Sequence, residues 1–138
     1  MLKCFTVNAV GPVLVTQAAL PLLRASKHVM GPRILYVSSN NGSLALRERD
    51  HLVGKLSYGA SKCALNMMIR AMSHEITDVA MVLLHPGWVA TDMGCSGGRS
   101  PPVTVPDSAA KLLKYLTRVT IEDHGKFYDA ITDHEIAW

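Results

Sequence analysis

The chain has 138 residues, of which 49% are apolar and 18% are charged, a balance that is typical of one small globular domain rather than of a disordered segment. Its formal net charge of +3 comes from Lys and Arg residues scattered along the chain, which argues against nucleic acid as a partner. The 3 cysteines form no Cys-x-x-Cys, so we expect no disulfide framework and no zinc knuckle, and instead reduced thiols in a cytoplasmic protein.

The N-terminal segment carries apolar side chains at steps of three and four from Leu2 to Leu23, which predicts a helix over 2–26. Pro12 and Pro21 predict a kink or a restart in that helix, because proline lacks an amide hydrogen and clashes with the preceding turn.

The same segment raises the question of a membrane or a secretory leader. Lys3 followed by the stretch AVGPVLVTQAALPLL is compatible with a cleaved leader, and this alternative stays open. No stretch reaches the roughly 18 to 20 consecutive apolar residues of a membrane helix. We therefore expect no membrane partner.

Strands and helices then alternate. The run RILYVSS at 33–39 predicts a buried strand, and the polar segment 40–57, whose charged middle is expected to loop out, leads to a second helix. Ser57 is the predicted N-cap of this helix, which is expected to end near Ile76.

A second strand is predicted over 79–87, where a near-continuous apolar run ends at Pro-Gly. The Gly-, Pro- and Ser-rich segment 93–108 predicts a mobile loop. Asp107 or Ser108 is expected to cap a third helix that runs to about Arg118. A last strand is predicted at 125–130, and the alternation of helices and strands indicates an α/β fold with a parallel sheet.

Tyr58 and Lys62 lie one turn apart on the second helix, so their side chains can meet on one face. A phenol ordinarily keeps its proton to about pH 10, but a neighbouring ammonium favours the phenolate and makes acid/base work at neutral pH feasible. Taken alone, the Tyr-x-x-x-Lys spacing is a weak signal, because an exposed helical pair without any function is commoner.

Two further segments are expected at the same edge of the sheet. The strand over 33–39 ends in Ser38-Ser39, and the stretch HPGWVATDM leaves the next strand by a Pro-Gly turn. Ligands of open α/β folds bind at the carboxyl ends of the strands. Ser39 is therefore a candidate to hold a carbonyl oxygen, or else a residue that only caps the strand end.

Five segments in register resemble the short-chain dehydrogenases/reductases, most of all their C-factor-like carbonyl reductases. They are TVNAVGP with Asn8, YVSS with Ser39, SYGASK with Tyr58 and Lys62, HPGWVATDMG, and the C-terminal stretch that begins KFYDA. The resemblance implies that residues 1–138 form a single partial domain. It corresponds to the C-terminal half of a Rossmann-type, doubly wound parallel sheet with about three strands and three main helices.

By this resemblance the chain takes part in an NAD(P)-dependent exchange of hydride between nicotinamide and a carbonyl or alcohol substrate. Tyr58 would act as the acid/base, Lys62 would assist it and hold the nicotinamide ribose, and Ser39 would bond the reacting oxygen. Asn8 would bend the first helix and hold a water that links Lys62 to solvent.

The implied cofactor is NADP or NAD. Besides Tyr58 and Lys62, the resemblance assigns to its nicotinamide end a group of residues that follow the second strand: Pro86, Gly87, Val89 and Thr91.

The sequence lacks the strand, glycine-rich turn and helix that receive a pyrophosphate, since Gly94, Gly97 and Gly98 lead into Ser-Pro-Pro and not into a helix. We therefore expect the isolated chain to be weakly active or inactive. The strand that should lie beside residues 33–39 would also be missing, which predicts an exposed hydrophobic edge.

A different class of function also fits. The first two helices of such enzymes often build a four-helix dimer interface, so the chain is alternatively a non-catalytic homodimerisation or interaction module. The 6 histidines show no metal-binding spacing, so no metal site is predicted. Trp88 and Trp138 could touch a substrate, but they are expected to fill the core, and a structural rather than a catalytic role is expected for His85.

Overall fold

The computed structural model describes residues 1–50 and 55–138. Its first helix runs without interruption from α1 (Leu2–Phe5) through a π-helical segment (Thr6–Val10) into α2 (Gly11–Ala25). The wider π turn lies just before Pro12, which has no amide hydrogen to donate to the preceding turn. The predicted irregularity is therefore present near Pro12, whereas Pro21 lies inside α2 without ending it.

The expectation that no stretch is apolar enough to cross a membrane is wrong. The helix Leu2–Ala25 is long and apolar enough for a membrane span by length and composition, because its polar residues are few and lie apart. In this fold the helix packs on a second helix and beside the sheet, although little of its apolar stretch is buried. Core helices and leaders have the same composition, so this feature alone is weak evidence for a membrane.

Three parallel strands form one sheet in the order β1 (Arg33–Val37), β2 (Ala80–His85) and β3 (Phe127–Asp129). Val37 pairs with Leu84 in the register of β1 and β2. The predicted α/β class with a parallel sheet is confirmed. Each strand is two or three residues shorter than predicted.

The remaining helices are α3 (Leu44–Arg49), α4 (Leu56–Glu75), α5 (Asp92–Cys95) and α6 (Val105–Arg118). The charged segment that was expected to loop out is helical over α3, and its continuation at 51–54 lies outside the described residues. The segment predicted as a mobile loop contains α5 and the start of α6. A parallel β-bridge between Val89 and Val103 also holds it.

Both predicted helix caps are wrong. Lys55 precedes α4 in a left-handed conformation with φ 53°, and no side chain caps that end. Thr104 caps α6, since its hydroxyl oxygen accepts from the Asp107 amide at 3.2 Å. Thr104 has the extended backbone that a cap requires, whereas Asp107 and Ser108 already lie inside the first turns.

The sheet is covered on both faces. On one face, Met81, Leu83 and Phe127 pack against Leu65 and Ile69 of α4. On the other face, Ala80, Val82 and Leu84 of β2 pack against Tyr115 of α6 and against Val119. Every residue of β2 is buried, as expected for a parallel strand between two helical layers.

The outer edge of β1 has no strand partner in the described part of the chain. Val37 on this strand is 49% exposed. A groove of about 590 Å³ separates β1 from the helix Leu2–Ala25, and its walls are mostly apolar side chains. The edge is therefore open and hydrophobic, as the sequence predicted.

Candidate active site

A cavity of about 720 Å³ opens at the carboxyl ends of β1 and β2. Ser39 reaches it at the tip of β1 and is only 5% exposed. It is extended and begins a short 3-10 turn, Asn40–Gly42, by accepting a hydrogen bond from the Asn41 amide at 3.2 Å. The turn therefore holds the Ser39 hydroxyl in the wall of the cavity.

Ser38 has a different role, because neighbouring residues of an extended chain point to opposite sides. Its hydroxyl donates to the Asn66 side-chain oxygen at 2.5 Å, and the Asn66 amide donates to the Gly42 carbonyl at 3.2 Å. Both Ser38 and Asn66 are buried. This pair ties the turn after β1 to α4, and Ser39, not Ser38, lines the cavity.

Tyr58 lies in the first turn of α4 and lines the same cavity. The turn after β1 approaches this part of α4 closely at Gly59. A Cβ at Gly59 would lie 3.1 Å from the Asn41 carbonyl oxygen, tighter than ordinary packing. Glycine at this position lets the Ser39 and Tyr58 segments meet.

Lys62 follows Tyr58 one helical turn later, and its Nζ lies 6.0 Å from the Tyr58 ring centroid. The ammonium donates to the Val37 carbonyl oxygen at 2.8 Å, and burial lowers the pKa of Lys62 below its usual value. The side chain lines the groove beside β1 rather than the main cavity. Tyr58 therefore lines the cavity, and Lys62 lies next to it on the groove side.

Asn8 also lies on the groove side, in the middle of the π-helical segment. Its amide donates to the Ser61 hydroxyl at 3.0 Å, and that hydroxyl donates to the Tyr58 carbonyl oxygen at 2.7 Å. This chain of two hydrogen bonds connects the π turn to the backbone of Tyr58. Asn8 is thus connected to Tyr58, the candidate acid/base, through Ser61.

The segment that follows β2 forms the opposite wall of the cavity. Gly87 has φ +87°, and a Cβ there would lie 2.6 Å from the Ile131 side chain, so the turn requires glycine. The Thr91 hydroxyl oxygen accepts from the Gly94 amide at 3.2 Å and begins α5. All four residues that the sequence assigns to the nicotinamide end line this cavity: Pro86, Gly87, Val89 and Thr91.

Trp88 corrects another expectation, because it is 45% exposed in the cavity wall instead of filling the core. Its indole nitrogen donates to the Gly94 carbonyl oxygen at 3.3 Å. Trp138 is 39% exposed and packs against Phe127, with ring centroids 5.7 Å apart.

Sequence reasoning missed several wall residues, because loops that follow different strands supply them and no spacing links them. Ser108 is one, and its hydroxyl donates to the Pro86 carbonyl oxygen at 2.8 Å. Arg99 is another, and its guanidinium bonds the Ser96 and Met93 carbonyl oxygens at 2.6 and 3.1 Å. The other missed side chains are Asn40, Asn41, Lys55 and Met93.

The arrangement brings the hydroxyl-bearing residues Ser39 and Tyr58 into one concave site, together with Thr91 and Ser108, whose hydroxyls bond backbone groups. Ser39 and Tyr58 can both bond an oxygen of a bound molecule, and glycine-containing backbone faces them from the β2 side. No group of three or more His, Cys, Asp or Glu residues that could hold a metal occurs in residues 1–50 and 55–138. The chemistry that fits such a pair of hydroxyls is proton transfer to, or stabilisation of, a substrate oxygen.

Comparisons with known proteins identify the family of the chain. The family profile described as short chain dehydrogenase matches residues 1–99. The C-signal protein of Myxococcus xanthus is 39% identical over 140 residues, which span 100% of this chain and 78% of that protein. The short-chain dehydrogenase srdF of Neurospora crassa is 36% identical, over 100% of this chain and 56% of its own length.

Solved structures show the same fold. An NADPH-bound carbonyl reductase from chicken fatty liver matches with a TM-score of 0.85 and 34% identity, over 100% of this chain and 58% of its own. The carbonyl reductase Sniffer of D. melanogaster matches with a TM-score of 0.86 and 30% identity, over 99% and 56%. The chain thus spans little more than half the length of these structures and of srdF. It belongs to the short-chain dehydrogenase family and has part of that family's Rossmann-like α/β fold.

Proposed function

We propose that residues 1–138 form the acid/base part of an NAD(P)-dependent oxidoreductase that interconverts a carbonyl and an alcohol. The observation that supports this most is the shared cavity of Ser39, Tyr58 and the segment after β2. In this proposal Tyr58 gives its proton to the substrate oxygen during reduction and takes it back during oxidation. Ser39 donates a hydrogen bond to the same oxygen as negative charge develops there.

The residues present fit the nicotinamide end of such a cofactor. Pro86, Gly87, Val89 and Thr91 would hold the ring against the cavity wall, and the φ of Gly87 keeps that wall free of a side chain. The bound nicotinamide would supply or accept the hydride. Lys62, on the groove side of Tyr58, would favour loss of the phenol proton through its positive charge.

NADP is favoured over NAD as the cofactor, because two similar structures are described with it. They are the NADPH-bound chicken enzyme and a carbonyl reductase from Pseudomonas aeruginosa in complex with NADP, which is 31% identical. The sequence has no glycine-rich turn between a strand and a helix to bind a pyrophosphate. We therefore propose that residues 1–138 are one partial domain and that this chain alone turns over weakly or not at all. Its cellular site in this proposal is the cytoplasm.

The test compares NADPH with reduced nicotinamide mononucleotide, which lacks the adenosine half. In a Trp138→Phe background, quenching of Trp88 emission reports binding in the cavity. We expect both nucleotides to bind with affinities that agree within a few-fold, because this chain offers sites for the nicotinamide end only. Tyr58→Phe should keep binding and lose any slow ketone reduction. Absence of quenching by either nucleotide would contradict the proposal, and fast NADPH-dependent reduction would contradict the expected weak turnover.

A second candidate function is association through the first two helices. Leu14, Val15 and Leu22 on α2 are 58%, 68% and 77% exposed, and Met67 on α4 is 69% exposed. Such apolar surfaces often mark protein interfaces. This candidate predicts a homodimer by sedimentation velocity that Leu22→Glu dissociates, with no nucleotide binding. Nucleotide binding by a monomer would exclude it as the main function.

A further inference from the structure

Two cationic side chains line the cavity that contains Ser39 and Tyr58. They are Lys55, which directly precedes α4, and Arg99, which follows α5. Within residues 1–50 and 55–138, no Asp or Glu lines this cavity, and the sequence HLVG at 51–54 contains neither. The Lys, Arg, Asp and Glu residues that line the site are therefore all of positive sign.

The two cations belong to different walls of the cavity. Lys55 begins the first turn of α4, which also carries Tyr58, and its carbonyl oxygen accepts from the Gly59 amide at 2.8 Å. Arg99 belongs to the segment after β2, where its amide donates to the Cys95 carbonyl oxygen at 3.2 Å. A molecule in the cavity therefore meets one positive charge from the α4 side and another from the α5 side.

Arg99 is held in place by the segment that it borders. Its Nε atom donates to the Ser96 carbonyl oxygen at 2.6 Å, and its Nη2 atom donates to the Met93 carbonyl oxygen at 3.1 Å. The residue is half-buried. Both acceptors are neutral, and neither Arg99 nor Lys55 forms an ion pair within the described part of the chain. No carboxylate there neutralises these two charges.

Lys55 is exposed and has a left-handed backbone with φ 53°. This conformation costs free energy for a residue with a side chain, and it is commonest at functional sites. Since no side chain caps α4, the positive end of the helix dipole adds to the charge of Lys55. Charges of one sign in a cleft attract a ligand of the opposite sign.

The remaining lining indicates what kind of anion fits. Apolar side chains of Pro86, Val89 and Met93 face the same cavity, which suits the carbon skeleton of an organic acid. A guanidinium matches a planar carboxylate in shape and charge. The cavity volume, about 720 Å³, is in the range of small-molecule sites.

We propose that Lys55 and Arg99 bind a carboxylate group of the substrate, so that the site prefers keto acids to neutral ketones. This inference rests on the proposed function, since it takes Ser39 and Tyr58 as the partners of the reacting oxygen. Lys55 and Arg99 set specificity and take no part in proton transfer.

The test uses the complete chain with Trp138→Phe and two ketones of nearly equal shape, phenylglyoxylate and phenylglyoxylamide, which differ in charge. Quenching of Trp88 emission measures the affinity for each. We expect phenylglyoxylate to bind about tenfold more tightly at low salt, as expected for a hydrogen-bonded charge pair that is partly exposed. The preference should shrink as salt is added, because salt screens exposed charges.

Substitutions separate these two charges from the net charge of the chain. Lys55→Met and Arg99→Gln should each reduce the preference about threefold, and the double variant should abolish it. Arg99→Lys should retain much of it, because the charge is kept. Lys111→Met removes an exposed charge of α6 outside the cavity and should leave the preference unchanged. Circular dichroism of each variant checks that the fold is kept.

The outcomes also separate the two proposals. A preference for the keto acid that depends on Lys55 and Arg99, without any nicotinamide binding, would sustain the carboxylate site and contradict the proposed reductase. Nicotinamide binding with equal affinities for the two ketones would overturn the carboxylate site alone.

Three further results would overturn the carboxylate site. One is an equal loss of the preference in Lys111→Met, which would assign it to net charge. Another is weaker NADPH binding by Arg99→Gln with an unchanged ketone preference, which would assign the cation to a phosphate of the cofactor. The third is the absence of binding by either ketone.

Discussion

Lys62 carries a positive charge that the fold partly buries. Its side chain is half-buried at the edge of the sheet, and its ammonium donates to the Val37 carbonyl oxygen at 2.8 Å. Burial of the charge lowers the pKa of Lys62, so the charged form is less stable in the folded protein than in the unfolded chain. A residue kept at such a cost usually serves a site.

The pH dependence of stability tests this directly. Between the lowered folded pKa of Lys62 and its usual value of 10.5, the unfolded chain binds more protons, so the free energy of unfolding should rise with pH. Lys62→Met should flatten this rise, and Lys111→Met, which changes an exposed lysine of α6, should preserve it. Urea unfolding across that pH window measures both. An unchanged slope in Lys62→Met would show that the ammonium is not destabilised by burial.

Ser38 and Ser39 form a matched pair of neighbours with different surroundings. Ser38→Ala leaves the buried Asn66 oxygen without its donor and should lower the free energy of unfolding by about 1–3 kcal/mol. Ser39→Ala should destabilise less and should reduce any slow ketone reduction, because that hydroxyl lines the cavity. Thermal melts and single-turnover assays separate the two effects. Equal destabilisation by both substitutions would contradict this division.

At this scale the sequence predicts which residue types carry the chemistry but not their surroundings. The Tyr58–Lys62 spacing follows from helix geometry alone. The contact of Lys62 with Val37 and the chain from Asn8 through Ser61 depend on how separate elements pack. His85 illustrates the same limit, since only the packed structure shows that its Nδ1 has no partner.

Among the elements, the segment between β2 and α6 shows the largest difference from expectation. Its glycines and prolines predict a loop, yet it forms α5 and a bridge between Val89 and Val103. A Cβ at Gly94 would lie 1.9 Å from the Val89 carbonyl oxygen, so glycine is needed here for tight packing and not for mobility. Composition alone does not distinguish these two uses of glycine.

The start of α6 provides a test at the level of an element. Thr104→Ala removes the side chain that accepts from the Asp107 amide and should lower the free energy of unfolding by about 1 kcal/mol. Lys111→Ala, in the middle of the same helix and exposed, should change stability little. Guanidinium unfolding of the two variants gives the comparison. A loss in Lys111→Ala as large as that in Thr104→Ala would argue against a capping effect.

Across the whole molecule, the dominant feature is a sheet that is covered on both faces and open along β1. The class of the fold was predictable, because parallel strands between helices need long apolar runs such as that of β2. The openness of one edge was predictable only through the family resemblance, because no residue pattern in this chain marks it.

An open hydrophobic edge predicts self-association. Val37→Lys places a charge on the exposed strand and should raise the concentration at which the chain begins to aggregate. Val29→Lys, in a loop where the valine is 96% exposed, adds the same charge away from the edge and serves as the control. Static light scattering against concentration measures both. If both variants raise the aggregation concentration equally, the added net charge and not the edge of the sheet explains the effect.

The hydrogen bond between Lys62 and Val37 affects the pairing of any further strand with the edge of β1. The Ser38 amide donates to Leu84 on β2, and the two ends of one trans peptide unit point in opposite directions, so the Val37 carbonyl faces the vacant side. An incoming strand would need that same carbonyl for its own ladder. A strand added at this edge would therefore compete with the Lys62 ammonium for the Val37 carbonyl oxygen.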